Sequence, residues 1–332
     1  MTYLVVRFST LGSVAMLVPV LSAVAEKRPD DFFVVLTQKP LNVFFASLPN
    51  VKLHVAESGN NMWRLAGLLI REYSIDTVID LQDSASSRVL RCCMRLHGRR
   101  VVTIRKQRAK RRCLIRRGYK RSEPLLTEFQ LYAETFERAG LRMTDNVFHR
   151  LKFDNHPLEY QKASGEQWIG VAPFATYRTN MLPYKQTKDL LAYLSRRPRT
   201  RVFLFGAGEV ECEVLNQWEL VFENTVCMAG KLSLEQELAV MQQLDIMVCM
   251  DSANQHLSSL VGLDALTIWC GTHPYAGFYG WKQPAGNIIQ RELDCRPCTL
   301  HGAEKCKKGT FECQMIGVTE IIDKLEQILS KK

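Results

Sequence analysis

Short apolar runs recur along the first third of the chain, at 3–8, 32–36, 51–55, 76–80 and 101–104, with segments of helical length between them. Alternation of this kind predicts a parallel sheet built through right-handed crossovers. Residues 123–142 then place Leu126, Phe129, Tyr132 and Phe136 on one helical stripe that ends at Gly140. The polar segment Asp154 to Glu166 reads as a linker. A second series follows, with strands at 168–173, 201–205, 225–228, 245–250 and 265–269 and helices at 186–196, 210–218, 233–243 and 253–262. The fold class expected is α/β, two doubly wound domains with a cleft between them. A last helix, 318–330, carries Val318, Ile321, Ile322, Leu325 and Ile328 on one stripe and must dock on something.

The N-terminus imitates a secretory signal, with Arg7 ahead of an apolar stretch from Leu11 to Ala25 that closes on Ala23-Val24-Ala25. The pattern reads better as a first strand, a turn at Gly12 and a helix from Val14 to Ala25, because removing it would delete the first strand. Pro19 inside that helix is a local inconsistency expected to kink it or end its first turn.

Composition bounds the rest. With 332 residues, 46% hydrophobic and 23% charged, the chain can bury ample core, and it carries no low-complexity tract or solenoid repeat. No apolar stretch reaches the roughly 20 residues of a spanning helix, which predicts a soluble or peripheral protein. The net charge of +10 is unevenly placed, since Arg88 to Arg121 holds fifteen Lys or Arg and no Asp or Glu. Such a block is usually a solvated face, yet this one attracts anions: nucleic acid, anionic lipid or a phosphorylated saccharide. With only Tyr119 among its aromatics it lacks the stacking pattern of a single-strand binder, and a membrane surface suits it better than nucleic acid.

Eleven cysteines, several of them in strand-like or helix-like runs, suit a reducing compartment. Cys295, Cys298, Cys306 and Cys313 stand apart, because the first pair has zinc-ribbon spacing and the second is looser. A structural zinc at these four is one reading, and thiols in a packed loop are the other.

The most telling segment is 245–262, where the apolar strand Ile246 to Met250 runs into Asp251 and a helix carrying His256 opens. Ser252 is a natural N-cap, and the backbone N–H groups of Ala253, Asn254 and Gln255 would point out of the positive end of the helix. Such a terminus binds phosphate. The bland alternative is a capped helix with His256 in its first turn. Segment 266–281 adds a neighbouring strand ending in Gly271, Thr272 and His273, then an aromatic loop that would line the same crevice.

Residues 7–21 (RFSTLGSVAMLVPVL), 172–183 (APFATYRTNMLP), 205–211 (FGAGEVE) and 250–262 (MDSANQHLSSLVG) resemble, in order and spacing, the family 9 glycosyltransferases, the group of the lipopolysaccharide heptosyltransferases. The last segment is the most specific. The resemblance implies a GT-B fold, two Rossmann-like domains facing across a cleft. On this reading 1–155 is the acceptor-side domain with the basic segment 88–121, 165–316 binds a nucleotide sugar, and 317–332 is a C-terminal helix packing back on the N-terminal domain. It also implies inverting, metal-independent transfer, with no required cofactor, from an ADP-heptose-type donor. The acceptor would be lipid A or core oligosaccharide at the cytoplasmic face of the inner membrane, with peripheral contact to anionic lipid and no nucleic acid as partner.

Read together with the residues, this resemblance assigns Ser13 to acceptor contact, Asp251 to orienting sugar or nucleotide and His256 to a phosphate or neighbouring hydrogen bond. It assigns Ser252, Ala253, Asn254, Thr272 and His273 to the donor, Glu211 to its ribose, and Arg178 and Asn180 to the leaving diphosphate. Arg7, Gly12, Arg105, Lys106, Arg111 and Arg112 fall to the acceptor or its anionic groups. Two positions depart from the pattern. The family base is usually an Asp where this chain has Ser13, and a hydroxyl is far too weak a base at neutral pH. The family Lys that neutralises the leaving group is here Asn180, which can donate a hydrogen bond but no charge. A GT-B-fold binding protein or scaffold that has lost transfer activity is therefore the second reading, and a nucleic-acid binder built on the basic block and a zinc site is the third.

Overall fold

The computed structural model describes residues 1–56, 61–143 and 150–331, and divides into two compact units, Met1–Gln107 with Leu126–Leu151 and Arg108–Leu125 with Lys152–Lys332. The first unit opens with β1 (Thr2–Val6), α1 (Leu11–Glu26), β2 (Phe32–Thr37), β3 (Val51–Val55) and α2 (Met62–Tyr73). It continues with β4 (Thr77–Asp80), α3 (Ala85–Leu96) and β5 (Arg100–Thr103). The chain then places α4 (Arg108–Arg117) in the second unit and returns with α5 (Glu128–Arg138) to the first. The five strands are parallel in the order β3-β2-β1-β4-β5, with Val5 facing Val35 on one side and Ile79 on the other.

Strand β1 is central because its residues are apolar without alternation, and Leu4, Val5 and Val6 are wholly buried. Helix α1 is apolar nearly all round, and thirteen of its sixteen residues are buried. It runs unbroken through Pro19, against the expected kink, and packs on α5. Burial of this order outweighs the roughly 3 kcal/mol a proline costs inside a helix, since each buried Val, Leu or Met contributes about 1.5–3 kcal/mol.

The second unit contains β6 (Gln167–Ala172), α6 (Tyr184–Arg196), β7 (Thr200–Leu204), α7 (Glu209–Val221), β8 (Thr225–Cys227) and α8 (Leu234–Met241). It ends with β9 (Ile246–Met250), α9 (Ala253–Val261), β10 (Ala265–Trp269), β11 (Ile288–Gln290) and α10 (Val318–Leu329). Its parallel sheet has the order β11-β10-β9-β6-β7-β8. The edge strand β11 has only three residues and escapes a pattern search for that reason.

Two expectations need correction. The C-terminal helix α10 packs within the second unit. Its Ile321, Leu325, Ile328 and Leu329 join the core of the second, and Glu326 receives Arg197 Nε at 2.8 Å and the Tyr193 hydroxyl at 3.1 Å, both groups belonging to α6 and its end. The basic block is not one surface of the first unit either. Arg91 is buried against Asp80 at 3.2 Å and Asp83 at 3.3 Å in the first unit. Helix α4 is instead held in the second unit by Leu114, which clusters with Tyr119, Leu125 and Ala276. Among the described residues no helix is long and apolar enough to cross a membrane.

Candidate active site

Both strand orders reverse direction once, and open parallel sheets bind ligands at the carboxyl ends of the strands flanking that reversal. In the second unit the reversal lies between β6 and β9. Strand β9 delivers Asp251 there. Its carboxylate accepts the Thr272 hydroxyl at 2.6 Å and the Gln255 amide at 3.0 Å, and Gln255 in turn accepts the Gly280 N–H at 3.1 Å. Burial pushes the Asp251 carboxyl up to about 6, opposed by these two hydrogen bonds and by the Arg296 charge.

Arg296 was not signalled by the sequence, where it is one more Arg between two cysteines. It is fully buried, and its guanidinium donates to the carbonyls of Trp269 at 2.9 Å and Thr272 at 2.6 Å and to Gln290 Oε1 at 3.1 Å. By tying down the end of β10 it fixes the Thr272 hydroxyl on Asp251. Gln255 was likewise missed as a side chain, although its backbone was expected to serve the helix terminus.

Ser252 sits at the N-cap position of α9 in extended conformation, but its side chain makes no cap hydrogen bond, contrary to the sequence expectation. Among the described residues its buried Oγ has no partner, and neither has His256 Nδ1 or His273 Nε2. Burial holds both imidazoles down to about 3, so each is neutral at pH 7 and supplies hydrogen bonds without charge. His273 accepts the Tyr275 N–H on Nδ1 at 3.1 Å and stacks on Tyr119 with ring centroids 4.1 Å apart. The first turn of α9, with Ala253 and Asn254, therefore stands beside polar groups that a ligand would satisfy.

The loop after β6 meets this site through Gly271, whose N–H donates to the Thr179 carbonyl at 2.8 Å, and a Cβ there would lie 2.9 Å from that oxygen. Asn180 is the next residue of this loop. It is buried, and its amide donates to the His301 carbonyl at 2.9 Å, so it fastens a loop. Arg178 is exposed, with its guanidinium 5.2 Å from the Phe311 ring. Glu211, in the first turn of α7, accepts the Ala207 N–H at 2.9 Å, and burial raises its carboxyl. It lies at the end of β7, outward of β6.

The four C-terminal cysteines are free thiols, and among the described residues no group of three or more His, Cys, Asp or Glu is arranged to hold a metal ion. Cys298 Sγ turns to the Cys295 carbonyl at 3.3 Å, and Cys313 lies in the apolar core. For Cys306 burial is the largest single effect and raises the thiol, but the backbone N–H groups of Lys308 to Phe311 together lower it.

In the first unit the reversal lies between β1 and β4. Arg7 leaves β1, is buried, and donates to the Leu81 carbonyl at 2.8 Å and to Glu128 Oε1 at 3.3 Å. The other oxygen of Glu128 accepts the Ser13 hydroxyl at 3.1 Å. Tyr132, one turn along α5, donates to the Ser13 carbonyl at 3.0 Å, and burial raises its phenol strongly. Gly12 is buried at the start of α1, and Gln82 fastens the preceding loop by donating to Ser9 Oγ at 2.8 Å. Glu128 went unnoticed in the sequence. The capping box of Thr127 and Gln130 marks the first turn of α5, but nothing local says that this turn reaches Ser13, 115 residues away.

The predicted anion-binding cations are divided. Arg105 is exposed and Lys106 donates to the Gln82 carbonyl at 2.6 Å, both in the first unit. Arg111, 5.4 Å from the Phe278 ring, and the exposed Arg112 belong to the second.

Two Rossmann-like units, each with polar groups gathered at its reversal point, define the GT-B class of glycosyltransferases. The family model for glycosyltransferase family 9 (heptosyltransferase) matches residues 62–307, and the chain belongs to that family. Among solved structures it is similar to a family 9 glycosyltransferase from Veillonella parvula, at 15% identity and a TM-score of 0.78, over 100% of this chain and 98% of that one. It is also similar to the E. coli ADP-heptose lipopolysaccharide heptosyltransferase II (16%, TM-score 0.74, 100% and 99% covered) and to E. coli heptosyltransferase WaaC with ADP (16%, 0.66, 99% and 100%). At these identities the likeness is one of fold. Comparison with curated proteins returns no match.

Proposed function

We propose that this protein transfers a sugar, of the heptose type, from a nucleoside diphosphate donor held by the second unit to a saccharide acceptor presented to the first. The observation that carries the reading is the set around Asp251: a carboxylate oriented by Thr272 and Gln255, beside a helix terminus whose N-cap hydroxyl and neighbouring imidazole nitrogens lack partners. A diphosphate at the first turn of α9 would take hydrogen bonds from the N–H groups of Ala253 and Asn254 and from Ser252 Oγ, with the helix dipole favouring its charge. Asp251 would then accept from a sugar or ribose hydroxyl, and Glu211 from the ribose. His256 and His273, both neutral, would add hydrogen bonds only. The ADP named with WaaC and the ADP-heptose named with heptosyltransferase II make ADP-heptose the first donor to try. Arg105 and Lys106 suit an anionic saccharide or lipid A-type acceptor at the inner face of the inner membrane.

Thermal unfolding with millimolar ADP, ADP-heptose, UDP-glucose and GDP-mannose tests the donor site. Binding at a hundredfold over Kd stabilises by about 2.7 kcal/mol. Protection by the ADP compounds that is lost in Asp251→Ala is the expected result, and no protection by any of them would refute the donor site. A second reading, a binding protein without transfer activity, draws support from Asn180, which is buried and committed to His301 and leaves no cation in its place. Slow transfer to a heptose-free core oligosaccharide would dismiss it.

A further inference from the structure

The reaction needs a group to take the proton of the acceptor hydroxyl, and Ser13 alone cannot do so. We propose that Glu128 is the base, acting through Ser13. This rests on the glycosyltransferase reading above and names the residue that completes it.

The geometry points one way. Ser13 is half-buried, so its hydroxyl is reachable, and it lies at the start of α1 at the carboxyl end of β1. Its Oγ donates to Glu128 Oε2 at 3.1 Å and accepts the Thr10 hydroxyl at 3.5 Å, which leaves one Oγ lone pair to accept from an incoming hydroxyl. Glu128 is only 5% exposed and is fixed from its other oxygen by Arg7, itself tied to the Leu81 carbonyl. It is the first residue of α5, where the positive helix terminus favours a carboxylate. The charged and titratable groups facing it are Arg7 from the segment after β1 and Tyr132 from α5. A purely structural partner for Arg7 would not need its second oxygen directed at the one hydroxyl that occupies the position of the family base.

In the step itself, the acceptor hydroxyl oxygen forms a bond to the anomeric carbon as the bond from that carbon to the diphosphate oxygen breaks. The acceptor proton passes to Ser13 Oγ while the Ser13 proton passes to Glu128 Oε2. The diphosphate leaves with the electron pair, and Glu128 later returns its proton to solvent. The carboxylate has thus moved from α1 to α5, and the serine bridges the distance.

The test measures ADP-heptose turnover, with a heptose-free core oligosaccharide and with water as acceptor, beside ADP protection in thermal unfolding. Glu128→Gln keeps the shape and a hydrogen bond to Arg7 but removes the base. It is expected to lower kcat by about 10²- to 10⁴-fold with ADP protection unchanged. Ser13→Ala, which leaves the ion pair alone, should fall similarly. Ser13→Asp/Glu128→Gln should recover most of the loss, since the carboxylate returns to α1. Turnover of Glu128→Gln within threefold of wild type overturns the proposal and leaves the glycosyltransferase reading intact. Should that variant fail to fold, wild-type turnover by Ser13→Ala overturns it instead. A wild-type protein that neither gains ADP protection nor turns over donor removes both readings.

Discussion

The reversal points of the two sheets are built from the same topology and carry opposite chemistry. In the first unit both oxygens of the buried Glu128 are engaged, one by Arg7 and one by Ser13, and Arg7 also donates to the Leu81 carbonyl, although its Nε has no partner among the described residues. In the second, Asp251 accepts hydrogen bonds from the neutral Thr272 and Gln255, and among the described residues Ser252 Oγ, His256 Nδ1 and His273 Nε2 stand buried without partners. Buried polar atoms left unpaired are costly, so a fold keeps them where something else completes them. The difference teaches where a ligand contributes binding energy and where the protein positions its own reactive group: the second reversal point awaits hydrogen bonds, the first already has a fixed charge.

Breaking the satisfied side should have the largest effect. Arg7→Met strands a buried carboxylate, and loss of one partner of a buried ion pair costs about 3–5 kcal/mol. Denaturant unfolding should show this loss, and a change below about 1 kcal/mol would mean that Glu128 is not held by Arg7 as described. Leu325→Ala, in α10, should cost about 2–5 kcal/mol through the cavity it leaves in the second unit. Because Leu325 is fully buried in that core, an unchanged midpoint would contradict the docking of α10 on its own unit.

Thr272→Val removes the hydroxyl from Asp251, and the resulting unsatisfied oxygen should lower stability by about 1–3 kcal/mol. The same change should weaken ADP protection, since Asp251 loses its orientation. Smaller still is the contrast between two serines at N-caps. Ser233 forms a capping box at the start of α8, and Ser233→Ala should cost about 1 kcal/mol, whereas Ser252→Ala, with no cap bond to lose, should cost little until ADP is added. Equal losses in the ligand-free protein would erase the distinction between the two sites.

A pH dependence sharpens the electrostatic half of the comparison. The folded Asp251 carboxyl titrates near 6, above its ordinary value of 3.8, so the folded state holds the extra proton between those values. Stability from this group is present at low pH and is lost as the pH rises from about 4 to about 6, with no further change above. Subtracting the unfolding free energy of Asp251→Asn from that of the wild type isolates the slope from other groups such as Glu237, whose carboxyl burial pushes up to about 7. A flat difference curve would mean that Asp251 is better solvated than its surroundings suggest.

Much of the fold was legible because sheet-forming runs are local. Strand β9 reads as five apolar residues in succession, and α9 begins where Asp251 and Ser252 interrupt them. The expected ends of β2, β3 and β10 fall within a residue of those observed. The junction of β9 and α9 was legible too, because the strand, the acid and the helix start are contiguous. What the pattern misread was which surface each amphipathic piece would find. The stripe on α10 announces that it docks but not that α6 receives it. A basic run announces charge but not that Arg91 turns inward to Asp80 and Asp83 while Leu114 carries α4 to the other unit.

The amino-acid sequence by itself determined the two parallel sheets, the family membership and the acid at the end of β9, since each is encoded in short contiguous segments whose periodicity or order is visible along the chain. Only the tertiary structure decided that Asn180 fastens a loop, that Arg296 clamps the end of β10 and that Glu128 lies beside Ser13. These are relations between residues up to 121 positions apart, as in Asn180 with His301. Such pairings are fixed by how helices and loops close over the sheets, a consequence of packing the whole chain that no local pattern of polar and apolar residues records.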